Sequence, residues 1–372
     1  MEPASVKPTV METAETMAGS EMSRTEVMPK EMVSPWGNDV SGASLSDALR
    51  AGLSVRYFSR MNLPLLGIHH VTAITARASD NLRFYTQVLG MRLVKKTVNQ
   101  DDVSAYHLFY ADAKGSPGTD LTFFDWAAIA PRRLGNRMIT RTALRVADRT
   151  SLEWWKKHLE AAENVGEIVE RAGRASLLFE DHEGQQLMLV EDHAHGTPYE
   201  KSSVPAEHQI HGLGPVEITI PTMPKTVELL TELLGMRSVR QFKEPTDGVV
   251  HVYEIGQGGP GAELHVRLRP ELPIGQTGAG GVHHVAFRVP VDQYDAWADR
   301  LDEYGIPNSG KIDRFYFRSL YFREPNGILF ELATDGPGFA TDEPAETLGE
   351  RLALPPFLEP RRAQIEKGLK PL

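Results

Sequence analysis

The stretch Val88-Leu89-Gly90-Met91-Arg92-Leu93-Val94 returns as Leu233-Leu234-Gly235-Met236-Arg237-Ser238-Val239, at an offset of 145 residues. The strand-like openings before them, Gly67-Ile68-His69-His70-Val71-Thr72 and Gly212-Leu213-Gly214-Pro215-Val216-Glu217, keep the same offset. A second register exists. Ala143-Leu144-Arg145-Val146 matches Ala286-Phe287-Arg288-Val289, Trp154 matches Trp297, and Gly184 matches Gly327, all at an offset of 143. Two independent alignments that agree within two residues indicate a duplicated unit of roughly 145 residues, itself built from two similar modules.

Each module has one grammar. A β-branched strand such as Val71-Thr72-Ala73-Ile74-Thr75 comes first. A helical stretch, residues 81–89, follows and ends at Gly90, which suits a helix C-cap. Further strands with Gly, Pro and Asp turns follow, such as residues 106–110 and 121–124. The expected fold is therefore α+β, with four βαβββ modules near 66–127, 137–192, 211–269 and 280–334, paired into two barrel-like cups. The expected division is a disordered extension over 1–60, a first module pair over 61–200 and a second pair with a C-terminal tail over 201–372. That tail, from Arg351, could fold back over a cup mouth.

Residues 1–60 lack apolar periodicity and carry eight acids against six bases, so they read as neither a secretory signal nor a transit peptide. Translation from Met61 is an alternative reading. The chain has 40 Lys and Arg against 50 Asp and Glu, without a long basic run, which speaks against nucleic acid as a partner. No apolar stretch reaches the ~18 residues of a membrane span. A cytoplasmic protein is expected, and a homo-oligomer is allowed. Cysteine is absent, so thiolate ligands and a Cys nucleophile are excluded, and any metal must be held by the 13 His and the carboxylates.

The repeat supplies its own control. At the end of the first strand the four modules carry His70, Arg141, Pro215 and His284. On the last strand they carry Thr122, Met188, His265 and Glu331. Modules one and four together offer two His and one carboxylate. Modules two and three offer no such set. A two-His, one-carboxylate triad leaves coordination positions open, which suits Fe(II) with O2 and an anionic substrate, although Mn(II), Zn(II) and Ni(II) accept the same donors. Glu331 stands between Phe330 and Leu332, where an unpaired carboxylate would be costly to bury. The other His read blandly: His107 as a buried structural group, and His193, His195, His208 and His211 as surface groups of a linker. His251 and His265 lie in module three, without metal partners. At least one of Trp154 and Trp155 belongs in the core.

The His69-His70 and His283-His284 openings and the Phe330-Glu331 ending resemble the vicinal oxygen chelate superfamily. Tyr106-His107-Leu108, the Gly115–Thr119 turn, Ser151–Trp155 and the tail from Gly338 resemble more narrowly the hydroquinone-type ring-cleaving dioxygenases. The resemblance covers about 62–372. It implies that His70, His284 and Glu331 hold Fe(II), with Mn(II) the lesser choice, and that His69, Thr72, His283, Arg314 and Tyr321 line the substrate pocket. It implies a site in modules one and four beside an empty partner cup. The implied reaction opens a dihydroxylated aromatic ring, of hydroquinone or catechol type, and inserts both atoms of O2. His283, then His69, would take the phenolic proton, Arg314 would hold developing negative charge, and Tyr321 would bond a substrate oxygen. A glyoxalase-like isomerase on this scaffold would use a carboxylate ligand where this chain has Thr122, and a non-catalytic binding module would lack the triad.

Overall fold

A computed structural model describes residues 63–160, 165–194, 196–244 and 248–372. The extension, the start at Met61 and His195 lie outside them. Module one runs β1 (Ile68–Thr75), α1 (Ala78–Arg83), β2 (Arg92–Val98), β3 (Tyr106–Ala111) and β4 (Asp120–Asp125). Module two runs β5 (Met138–Val146), α2 (Arg149–Leu159), β6 (Val165–Arg171), β7 (Arg174–Glu180) and β8 (Gln186–Glu191). Module three runs β9 (Gly212–Ile220), α3 (Pro224–Glu228), β10 (Arg237–Glu244), β11 (Gly248–Glu254) and β12 (Glu263–Leu268). Module four runs β13 (Val282–Val289), α4 (Tyr294–Glu303), β14 (Ile312–Asp313), β15 (Arg318–Arg323) and β16 (Leu329–Thr334), and α5 (Arg362–Gly368) follows in the tail.

The repeat extends to irregularities. In modules one and three the helix passes into a π turn, Phe84–Val88 and Leu229–Leu233. Gly90 and Gly235 follow at φ +67° and +64°, a left-handed backbone that glycine adopts without a Cβ clash.

The strands form two curled eight-stranded sheets, ordered β14-β15-β16-β13-β1-β4-β3-β2 and β10-β11-β12-β9-β5-β8-β7-β6. Modules one and four share the first sheet, and modules two and three share the second. Each sheet takes strands from both sides of residue 200, so the division there separates sequence repeats rather than sheets. The seam of the first sheet is antiparallel and pairs Thr72 with His284 and His70 with Ala286. Parallel pairing then brings Thr122 beside Thr72 and Glu331 beside Ala286.

Successive strand residues point to opposite faces, which sorts each strand. Val71, Ala73, Leu108, Tyr110, Leu121, Phe123, Val285 and Phe287 join the main core, together with Trp155 and Trp297 from the helices. The alternate residues face the cup. Trp155 is fully buried and its indole N–H donates to the His208 carbonyl at 2.7 Å, whereas Trp154 is half-buried. Among the described residues no helix is long and apolar enough to cross a membrane.

Candidate metal centre

His70 is the third residue of β1, His284 the third of β13 and Glu331 the third of β16. The seam and the parallel pairing carry all three to one point on the cup floor. Glu331 Oε2 lies 3.1 Å from His70 Nε2 and 2.9 Å from His284 Nε2, and the two nitrogens are 3.2 Å apart. All three side chains are buried. Neither Glu331 oxygen accepts a well-directed hydrogen bond among the described residues. Burial pushes this carboxyl up, but His70 and His284 together hold it well below the usual carboxylate range. A fully buried anion facing two imidazole nitrogens, with its lone pairs unused, fits a cation at their common centre. The spacing is informative. Bonds of about 2.1 Å meeting at right angles place donors roughly 3.0 Å apart, whereas tetrahedral bonds place them roughly 3.4 Å apart. The three separations lie in the range that donors to one small divalent cation would span, so His70, His284 and Glu331 would hold it through three protein atoms.

The neighbouring His residues set the tautomers. His69 Nε2–H donates to the Thr334 carbonyl at 3.2 Å, since a carbonyl oxygen can only accept. Burial, with His70 beside it, pulls His69 down to about 3, so its ring is neutral and its Nδ1 is an acceptor. His70 Nδ1–H therefore donates to it across 2.9 Å, and the His70 Nε2 lone pair is left facing the centre. His284 Nδ1 meets His283 Nδ1 at 2.8 Å in the same arrangement. Burial, then His284, lowers His283 to about 3.

A cleft opens above the centre, and His70 and His284 stand on its floor. Its walls include Phe109, Phe124, Tyr316 and Phe317. Of the pocket residues expected from the sequence, Arg314 and Tyr321 are on the wall. Arg314 is held at the mouth by Asp101, at 2.8 and 3.2 Å, and lies over the Tyr321 ring. Burial, then Glu331, raises the Tyr321 hydroxyl above its ordinary value, against the pull of Arg314. His69, Thr72 and His283 are not on the wall. His69 packs behind His70 against Phe317, and Thr72 is fully buried in the sheet. His283 is half-buried and stands against the Phe124 and Trp126 rings. Alternation along the strand explains His69 and His283, each next to a residue of the centre and so started on the other face, whereas Thr72 shares the face of His70 and is covered by Thr122.

Several readings need correction. His107 is not a sealed structural group: it lines the cleft. Its position was legible in the parity of β3, where Leu108 and Tyr110 enter the core and 107 and 109 must face the cup. His208 and His211 are half-buried rather than surface groups, and His208 stacks on Trp154 and bonds Ser151, whereas His193 is exposed. The partner cup is filled, not empty. Glu217 meets Arg141 at 3.3 Å, Arg267 at 2.7 Å and Arg171 more closely still. Glu263 binds Arg174, Arg240 and His265 beside it. The register pairs His265 with Glu217 there as it pairs Thr122 with Thr72 here, so ion pairs occupy the space that the metal donors define in the first cup.

The profile of the Glyoxalase/Bleomycin resistance protein/Dioxygenase superfamily matches residues 67–189 and 212–332. MhqA of Bacillus subtilis (strain 168), provisionally designated a ring-cleaving dioxygenase, is 47% identical over 311 residues, which cover 82% of this chain and 98% of that protein. The chlorohydroquinone/hydroquinone 1,2-dioxygenase of Sphingobium indicum is 31% identical over 312 residues, covering 80% of this chain and 95% of that protein. The crystal structure of a provisionally designated dioxygenase from Bacillus subtilis superposes with a TM-score of 0.75 at 37% identity, over 84% of this chain and 98% of that one. With two matched segments that coincide with the two halves of the repeat, and a fold shared with such a relative, the chain belongs to the vicinal oxygen chelate superfamily, the glyoxalase, bleomycin resistance and dioxygenase proteins.

Proposed function

We propose that this protein is an Fe(II)-dependent dioxygenase that opens a dihydroxylated aromatic ring of the hydroquinone type. The observation that carries the reading is the donor set of His70, His284 and Glu331, open on the side that faces an aromatic-walled cleft. A divalent iron held there supplies Lewis-acid and one-electron chemistry. The protein's own groups do the rest. Phe109, Phe124 and Phe317 form flat apolar surfaces that hold a ring and exclude water. Tyr321 keeps its proton at neutral pH and donates it in a hydrogen bond to a ring oxygen. Arg314, fixed by Asp101, places a permanent positive charge at the mouth, where it favours an anionic substrate. Both nitrogens of His69 are engaged, so it cannot take the phenolic proton. His283 accepts from His284 at Nδ1, which leaves its one ring hydrogen on Nε2, so in this tautomer it is closed to the phenolic proton as well. Thr122 is spent on hydrogen bonds to Thr72 and His107 and offers no fourth ligand of the isomerase type.

The test is O2 uptake by the iron-loaded, reduced protein with hydroquinone and with catechol, followed by product analysis under ¹⁸O2. One O2 consumed per ring opened, with both labelled atoms in the product, is expected. Unlabelled product, or turnover undiminished under argon, would sink the proposal.

A further inference from the structure

His107 is a polar group on the cleft wall that the proposed chemistry leaves unused. It stands on β3, and its ring is clamped between Phe109, at 4.0 Å between centroids, and Phe124, at 4.4 Å. Its Nε2 meets Thr122 Oγ1 at 3.0 Å, and Thr122 Oγ1 meets Thr72 Oγ1 at 2.8 Å. Thr72 and Thr122 are both fully buried. Each hydroxyl has one hydrogen. If Thr72 donates to Thr122, then Thr122 donates to His107 Nε2 and every hydrogen has an acceptor. In the opposite direction the Thr72 hydrogen has no acceptor among the described residues, which carries the cost of an unmet buried donor. The favoured chain makes His107 Nε2 an acceptor, so the ring hydrogen sits on Nδ1. That nitrogen has no partner among the described residues and is not sealed from solvent, and its ring lines the cleft. In the sheet order β13-β1-β4-β3, His107 stands two strands from His70 and three from His284, so their backbones are roughly 10–14 Å apart before the side chains reach inward.

We propose that His107 is a specificity-determining residue, whose Nδ1–H binds the substrate oxygen remote from the triad and so selects a para-diol over an ortho-diol. This deepens the proposed function and rests on it. The two oxygens of a catechol are adjacent and can both face the triad. Those of a hydroquinone lie at opposite ends of the ring, so the second needs a partner on the far wall. A donor fixed by the Thr72–Thr122 relay favours the ligand that satisfies it, because a ligand without the distant oxygen leaves it unpaired.

The experiment uses the full chain loaded with Fe(II) under argon and measures hydroquinone and catechol binding by titration calorimetry, with iron content as a control. His107→Phe keeps the aromatic stack and removes the N–H. Its Kd for hydroquinone is expected to rise roughly 10- to 100-fold, and that for catechol less than about 3-fold. Thr122→Val leaves the ring in place but breaks the relay, and is expected to weaken hydroquinone selectively and by a smaller factor. In the wild-type protein, ¹⁵N spectra of the His107 ring are expected to show the Nδ1–H tautomer. An Nε2–H tautomer, or equal weakening of the two diols in His107→Phe, overturns the role of His107 while the proposed function stands. A wild-type protein that binds neither diol overturns both.

Discussion

His69 and His70 are chemically identical neighbours that a strand sends to opposite duties, one facing the candidate metal centre and one holding its neighbour's tautomer. Removing a ligand should therefore differ from removing any other buried His. His70→Ala, His284→Ala and Glu331→Ala are each expected to lose iron, measured as metal per chain after gel filtration. His265→Ala is expected to keep it, since its partner is Glu263 in the other cup. Iron lost from His265→Ala and kept in His70→Ala would refute this pairing. Glu217 makes a second residue-scale prediction. Burial pushes its carboxyl up, but Arg171, Arg141 and Arg267 outweigh that and bring it from an ordinary 4.5 to about 2. A folded value below the unfolded one means stability that is fully present above about 4.5 and lost as pH falls through about 2. Glu217→Gln should thus cost about 3 kcal/mol in urea unfolding at pH 7, because it strands buried guanidinium groups, and the deficit should narrow between pH 4.5 and 2. A deficit independent of pH would show that the carboxylate charge is not what matters. The triad was legible in the sequence because the repeat places a ligand in one module opposite a non-ligand in its copy. His107 was legible only through the parity of β3, because a His among Tyr106, Leu108 and Phe109 looks like core until its neighbours settle which face it takes.

At the scale of elements, the tail has a defined seat. Ala353 N–H donates to the Lys96 carbonyl at 2.9 Å, and Leu352 bridges to Lys96, so the segment runs along the free edge of β2 and covers it. Leu354, Leu358 and Ile365 then pack on Val98, a residue of the cleft wall. A chain starting into this segment needs a sharp turn at Gly349, at φ +77°, where a Cβ would collide with the Leu93 carbonyl oxygen. Ile365→Ala should cost about 2–4 kcal/mol by urea unfolding. It should also raise KM for the diol more than it lowers kcat, because the wall loses its backing while the triad is untouched. Unchanged KM would separate the tail from the cleft. The sequence suggested the strands, helices and turns of each module from local pattern alone. The seat of the tail was beyond it, since Pro355, Pro356 and a short amphipathic run do not name the apolar patch they cover.

At the scale of the molecule, the two seams join modules that are far apart in the chain, β1 with β13 and β5 with β9. Neither half, 61–200 or 201–372, contains a whole sheet. Expressed alone, each is expected to lack a cooperative unfolding transition, and together they are expected to reassemble with iron bound. Independent folding of either half by calorimetry would contradict this. The pairing was legible in part, because the sequence offers the two-His, one-carboxylate set only when modules one and four are taken together. The ion pairs filling the second cup were not, because Arg141 and Glu217 come from different halves and only the seam register makes them neighbours. The modules are nested like brackets, with two and three inside one and four, and this imposes a timetable on biosynthesis. The inner sheet has all its strands once Leu268 has left the ribosome. The outer sheet cannot close until β16 emerges, so module one, made first, finishes last. Until then β1 presents a bare backbone edge, and the nascent chain is most exposed to mispairing with its neighbours on a polysome while half the molecule is already in place.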